Sequence, residues 1–124
     1  MPPKPDLASI AAETIAQIQS SLPSHLRSAS TSLPTIYLAR PNRDVLGPDF
    51  DPDLLGLFEG PNRLEADPTS SNPPPRLLLF LENIWAMAEH DLPTFRQEVR
   101  TTYLHELGHF LGFDEDDLTA RNLD

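Results

Sequence analysis

The stretch Thr94–Phe113, TFRQEVRTTYLHELGHFLGF, decides how the rest of the chain is read. Phe95, Val99, Tyr103, Leu107 and Phe110 or Leu111 recur every three or four residues, the spacing of one helix face. Thr94 and Gln97 stand in the relation of a capping box, and Pro93 just before them suits a helix start. Gly112 is a natural residue at which such a helix turns off. The expectation is one amphipathic helix over the whole stretch. On it His105 and His109 are four apart, so their imidazoles share a face and can reach one ion at roughly 2.0–2.1 Å. Glu106 is rotated about 100° from His105 and sits beside that face, placed to act as a general base without being a ligand. A catalytic site of this kind needs a third protein ligand. Asp114, Glu115 and Asp116 follow one residue after Gly112. The same acids also suit the start of a short final helix, Leu118 to Asn122, through the macrodipole.

Upstream, Arg76 to Ile84 (RLLLFLENI) is almost continuously apolar, the pattern of a strand buried on both faces. Leu54 to Glu59 reads as a short strand ending at Gly60-Pro61, and Leu33 to Ala39 as another rich in β-branched and aromatic residues. Leu7, Ile10, Ala11, Ile15 and Ile18 give helical periodicity from Asp6 to about Ser21, with Asp6 as cap and Pro23 beyond the end. This helix is expected to cover one face of the sheet. Pro41 to Asp53 reads as an irregular loop and Asn62 to Pro75 as a mobile one. Residues 1–5 are expected to be disordered and residues 6–124 to form one domain. His25 and His90 read as solvated loop residues.

Composition narrows the chemistry. With no cysteine among 124 residues, disulfides, thiolate zinc and iron–sulfur clusters are excluded, so any metal must be held by His, Asp or Glu. Nine Lys+Arg against nineteen Asp+Glu give a net charge of -10, and the basic residues are scattered, which disfavours nucleic acid as a partner. No apolar run has transmembrane length and the N-terminus lacks a signal-peptide core, so membrane association is not expected and cytoplasmic residence is. The 14 prolines favour short elements joined by stiff connections.

HELGHFLGFDE resembles the extended zincin motif HExxHxxGxx(H/D), whose last position supplies the third ligand. Aligned residue by residue that position is Glu115. Asp116 stands beside it as an equal choice, and both come ahead of Asp114. Together with LLGLFEG (54–60), LLLFLENI (77–84) and EVRTTYLHELGHFLGFDEDDL (98–118), the chain resembles the small bacterial zincin-like metallopeptidases over roughly residues 30–118. The resemblance implies a minimal zincin-like α+β fold, in which a small mixed sheet of about three strands packs on an N-terminal helix and the metal-bearing helix. It implies zinc held by His105, His109 and a downstream carboxylate, Glu106 as catalytic base, and a peptide or protein as substrate. The methionine-bearing turn of larger metzincins has no counterpart after Glu115.

GHFLGFDE is also similar to the end of the three-histidine motif of bacterial endoribonucleases that mature ribosomal RNA. Glutamate at positions 106 and 115, with the negative charge, argues against that reading. The competing class is a non-catalytic metal-binding or interaction module whose ion is structural. Candidates for stabilising an oxyanion are Arg121, Tyr37, Tyr103 and the metal itself. The strand Leu77 to Leu81 is expected to offer an edge to an extended peptide beside the site, and the loop Pro61 to Pro75 to act as a lid or specificity element.

Overall fold

A run of buried leucines sets the centre of the molecule. The computed structural model describes residues 4–42, 44, 47, 51–62, 74–113 and 116. Its elements are α1 (Leu7–Ser21), α2 (Ser24–Ser32), β1 (Thr35–Leu38), β2 (Gly56–Glu59), β3 (Arg76–Phe80), α3 (Leu81–Met87) and α4 (Leu92–Phe110). In β3, Leu77, Leu78, Leu79 and Phe80 are all buried, as a strand with apolar residues on both faces must be. It is accordingly the middle strand of a three-stranded sheet of order β1-β3-β2. β1 runs parallel to it with Thr35 opposite Leu77, and β2 antiparallel with Phe58 opposite Leu77. The sheet is mixed and the fold is α+β, as expected.

The central place of β3 corrects one expectation. With partners on both sides, β3 offers no edge to a peptide. The edge beside α4 belongs to β2. A second correction concerns Leu81 to Ile84, which begin α3 instead of prolonging the strand. The Asn83 side chain donates to the carbonyls of Pro52 and Leu54 at 2.9 Å each, and the Glu82 N–H donates to Ala39 at 3.0 Å. These long-range bonds draw the chain off the sheet, and no local pattern announces them.

α1 forms as its periodicity predicts. Asp6 caps it, accepting from the Ser9 N–H at 3.2 Å, and Leu7, Ala11, Ile15 and Ile18 line its buried face. α2 has no counterpart in the sequence pattern, and it places the exposed His25 on a helix instead of in a loop. Its serine-rich sequence has weak helix preference. Arg27 holds it in place by donating to the carbonyls of Gln19 and Leu22 at the end of α1. His90 lies exposed in the turn before α4, stacked on Trp85 with ring centroids 5.2 Å apart.

The cap of α4 lies three residues earlier than the capping-box reading places it. Asp91 is the cap and accepts from the Thr94 N–H at 3.1 Å, so Pro93 sits in the first turn, where a missing N–H costs nothing. At the other end the helix stops where Gly112 predicts. Gly112 adopts φ +90°, its N–H donates to His109 at 3.0 Å, and the Phe113 N–H donates to Gly108 at 2.9 Å. That pair of bonds is a Schellman motif. Phe95, Val99, Tyr103, Leu107 and Phe110 pack inward against α1 and against Leu77 and Leu79.

Lys4 forms an ion pair with Glu82 of α3. Within the two loops, residues 43, 45–46, 48–50 and 63–73 fall outside the described residues, as do Met1 to Pro3 and the expected helix Leu118 to Asn122. No helix among the described residues is long and apolar enough to cross a membrane.

Candidate metal centre

The register of α4 that buries Val99, Tyr103 and Leu107 turns the neighbouring positions 98, 102, 105, 106 and 109 towards the flank of the helix that faces β2. His105, Glu106 and His109 therefore come together, each half-buried, with one ligand atom apiece lying within 4.8 Å of the others. The two histidine Nε2 atoms stand 3.2 Å apart, and their rings meet edge to face at 78°. Two nitrogens bound at roughly 2.0–2.1 Å around a tetrahedral ion stand about 3.3 Å apart. The donor set fits zinc in spacing and in kind.

Glu106 is tied to the sheet. Its Oε2 accepts the backbone N–H of Phe58 at 3.0 Å. The pairing of β2 explains why that N–H is available. The Phe80 N–H donates to Leu55 and the Leu77 N–H donates to Pro34, so Leu55, Leu57 and Glu59 bond to β3. In an antiparallel ladder the alternate residues, Gly56 and Phe58, then direct their backbone groups away from β3, towards α4. The rings of Phe58 and Phe110, centroids 5.8 Å apart, pack the strand onto the helix.

Gly56 lets strand and helix approach this closely. A Cβ at this position would lie 2.6 Å from Cγ2 of Thr102 and 3.2 Å from the Leu78 carbonyl oxygen. Beside it opens a pocket of about 240 Å³ between Leu54, Leu55 and Gly56 on one side and Glu98, Thr101, Thr102, His105 and Glu106 on the other. The pocket is therefore continuous with the histidine site. On α4 its lining residues follow the spacing i, i+3, i+4, i+7, i+8, so the stripe is readable from the motif backwards once the helix is assumed. The Phe58 N–H, by contrast, leaves no sequence signal.

Of the downstream carboxylates, Asp116 is exposed and lies outside the three-residue group, while Asp114 and Glu115 fall outside the described residues. Two of the oxyanion candidates are displaced by the fold. Tyr103 is fully buried on the core face of α4, where its hydroxyl accepts from Gln19 Nε2 at 3.3 Å. Burial holds its phenol above the ordinary value, against the opposing effect of hydrogen bonds from Gln19 and Ser30. Tyr37 lies on β1, the far edge of the sheet from β2, with its phenol likewise raised by burial and by Tyr103. Arg121 is outside the described residues.

Comparison with curated proteins finds no match. The family model for zincin-like metallopeptidases matches residues 36–123, from the start of the sheet through the histidine site and past the acidic cluster. With that span, the mixed sheet and the paired histidines on α4, the chain belongs to the zincin-like metallopeptidase family.

Proposed function

We propose that this protein is a zinc-dependent peptidase acting in the cytoplasm on peptide or protein substrates, with Glu106 as general base. The observation that carries the reading is the 3.2 Å separation of His105 and His109 Nε2 with a carboxylate anchored beside them. His105 and His109 hold the ion, and the third ligand comes from Glu115 or Asp116. When bound, the zinc supplies Lewis acidity that polarises the scissile carbonyl and acidifies water.

The chain's own residues do the rest. Glu106 takes a proton at its carboxylate and returns it to the leaving amine. The hydrogen bond from Phe58 limits the carboxylate's rotation and holds it at the helix flank. With the Phe58 N–H held by Glu106, the outward backbone groups of Gly56 and the Phe58 carbonyl favour an extended peptide laid along β2, paired as an added strand. That arrangement sets the scissile bond between strand edge and helix.

The test is hydrolysis of a broad peptide library by the zinc-loaded protein, with His105→Ala as control. Cleavage that requires His105 supports the reading. Bound zinc with no cleavage of any peptide would leave the ion as a structural clamp, detectable as a loss of stability on chelation.

A further inference from the structure

We propose that the pocket beside the histidine site selects a lysine or arginine side chain next to the scissile bond, with Glu98 as the specificity-determining residue. The inference rests on the peptidase reading above and names the substrate class for it. The pocket's volume, about 240 Å³, is below the roughly 300–1,000 Å³ typical of sites that enclose a whole small molecule. It suits one long side chain.

The lining says which kind. Leu54 and Leu55 form one wall, Thr101 and Thr102 the other, and His105 and Glu106 mark the end at the metal centre. Glu98 is the charged group at the remote end, two helical turns before Glu106, about 12 Å along the axis at ~1.5 Å per residue. It is half-buried, and no hydrogen bond or ion pair engages it among the described residues. A partly buried carboxylate without a partner favours a cation brought to it. An aliphatic stem along the leucines with its charged head at Glu98 satisfies both parts of the lining, as lysine and arginine do when their stems lie on apolar surface. The net charge of -10 adds a field that draws basic segments towards the protein. Glu98 stands two helical turns from Glu106 and outside the His105–Glu106–His109 group, so its effect is on selection.

The experiment uses the zinc-loaded chain and two readouts. Cleavage is profiled over a positional peptide library for wild type, Glu98→Gln and Glu98→Lys. Binding of one peptide carrying lysine, norleucine or glutamate at the selected position is measured by calorimetry on the same three proteins and on Glu106→Gln. The expected result is about a tenfold preference for lysine over norleucine in the wild type, lost in Glu98→Gln and inverted towards glutamate in Glu98→Lys. Equal preferences in wild type and Glu98→Lys, with peptides still cleaved, would overturn the pocket assignment and leave the peptidase reading standing. Lysine-selective binding that depends on Glu98, with no cleavage, would uphold the pocket and remove the peptidase reading. Neither cleavage nor charge-dependent binding overturns both.

Discussion

The backbone N–H of Phe58 in β2 is bonded to Oε2 of Glu106 in α4, across 3.0 Å and 48 residues of sequence. The bond joins the proposed general base to the strand along which a substrate is proposed to lie. The Glu106 carboxylate is therefore held by the sheet as well as by its own helix.

Glu106→Gln tests the base separately from this link, because the glutamine carbonyl can still accept from Phe58. The variant should fold and bind zinc as the wild type does, while turnover falls by roughly 10²–10⁴. Hydrolysis rates alongside metal analysis check this, and unchanged turnover would remove the proposed role of Glu106.

Metal removal should lower stability. A ligand that binds only the folded state stabilises it by about 2.7 kcal/mol when present at a hundred times its dissociation constant. The thermal midpoint should therefore rise with added zinc and fall with chelator. In His105→Ala and His109→Ala the zinc dependence should largely vanish. A midpoint insensitive to zinc in the wild type would argue that these histidines hold no ion.

Gly56→Ala should destabilise the protein by about 1–3 kcal/mol, since the added methyl meets Thr102 at 2.6 Å and the Leu78 carbonyl at 3.2 Å. Thr102→Ser removes the nearer obstacle. The double variant should recover part of the loss, giving a coupling energy in a double-mutant cycle measured by denaturant unfolding. Strict additivity would mean that strand and helix separate instead of meeting at this pair.

Acid should loosen α4 at its start. Side-chain and backbone hydrogen bonds from Thr94 hold the Asp91 carboxyl below its ordinary value, and those from Ser9 do the same for Asp6 on α1. A depressed folded-state value means the stabilisation is present above the unfolded carboxyl value near 4 and is lost as pH falls through the folded one. Asp91→Ala should lower the thermal midpoint by a few degrees at pH 7 and flatten its decline below pH 4. The buried phenols of Tyr37 and Tyr103, both raised, predict a separate loss of stability as pH climbs past about 10. Circular dichroism melts across both ranges check the two limbs.

Elements whose local pattern and tertiary role agree were legible beforehand. α1 shows its buried face as Leu7, Ala11, Ile15 and Ile18, and β3 shows its burial on both faces in four successive apolar residues, though not that it has a partner on each side. The helix carrying His105 and His109 follows from the same logic, and so does its end at Gly112. The missed features depend on distant partners. Leu81 to Ile84 continue an apolar run, but Asn83 finds its carbonyl acceptors some thirty residues earlier and turns the chain into α3. α2 depends on Arg27 reaching back to α1. The start of α4 was displaced because Asp91 and Thr94 are both good caps, and only the folded backbone chooses between them. At the site, paired histidines are a matter of spacing, while the Phe58 bond and the pocket floor arise from how β2 docks.

The turn that ends α4 also bears on ion selectivity. The carbonyls of Gly108 and His109, at the second histidine's end of the helix, are already engaged by Phe113 and Gly112. They are poorly placed to become extra oxygen ligands. Calcium needs six to eight oxygen donors and magnesium a near-octahedral set rich in water and carboxylate. A centre whose nearest donors are two imidazole nitrogens, with the backbone oxygens sequestered, favours borderline-soft ions over hard ones. Competition by millimolar calcium or magnesium should therefore leave zinc in place.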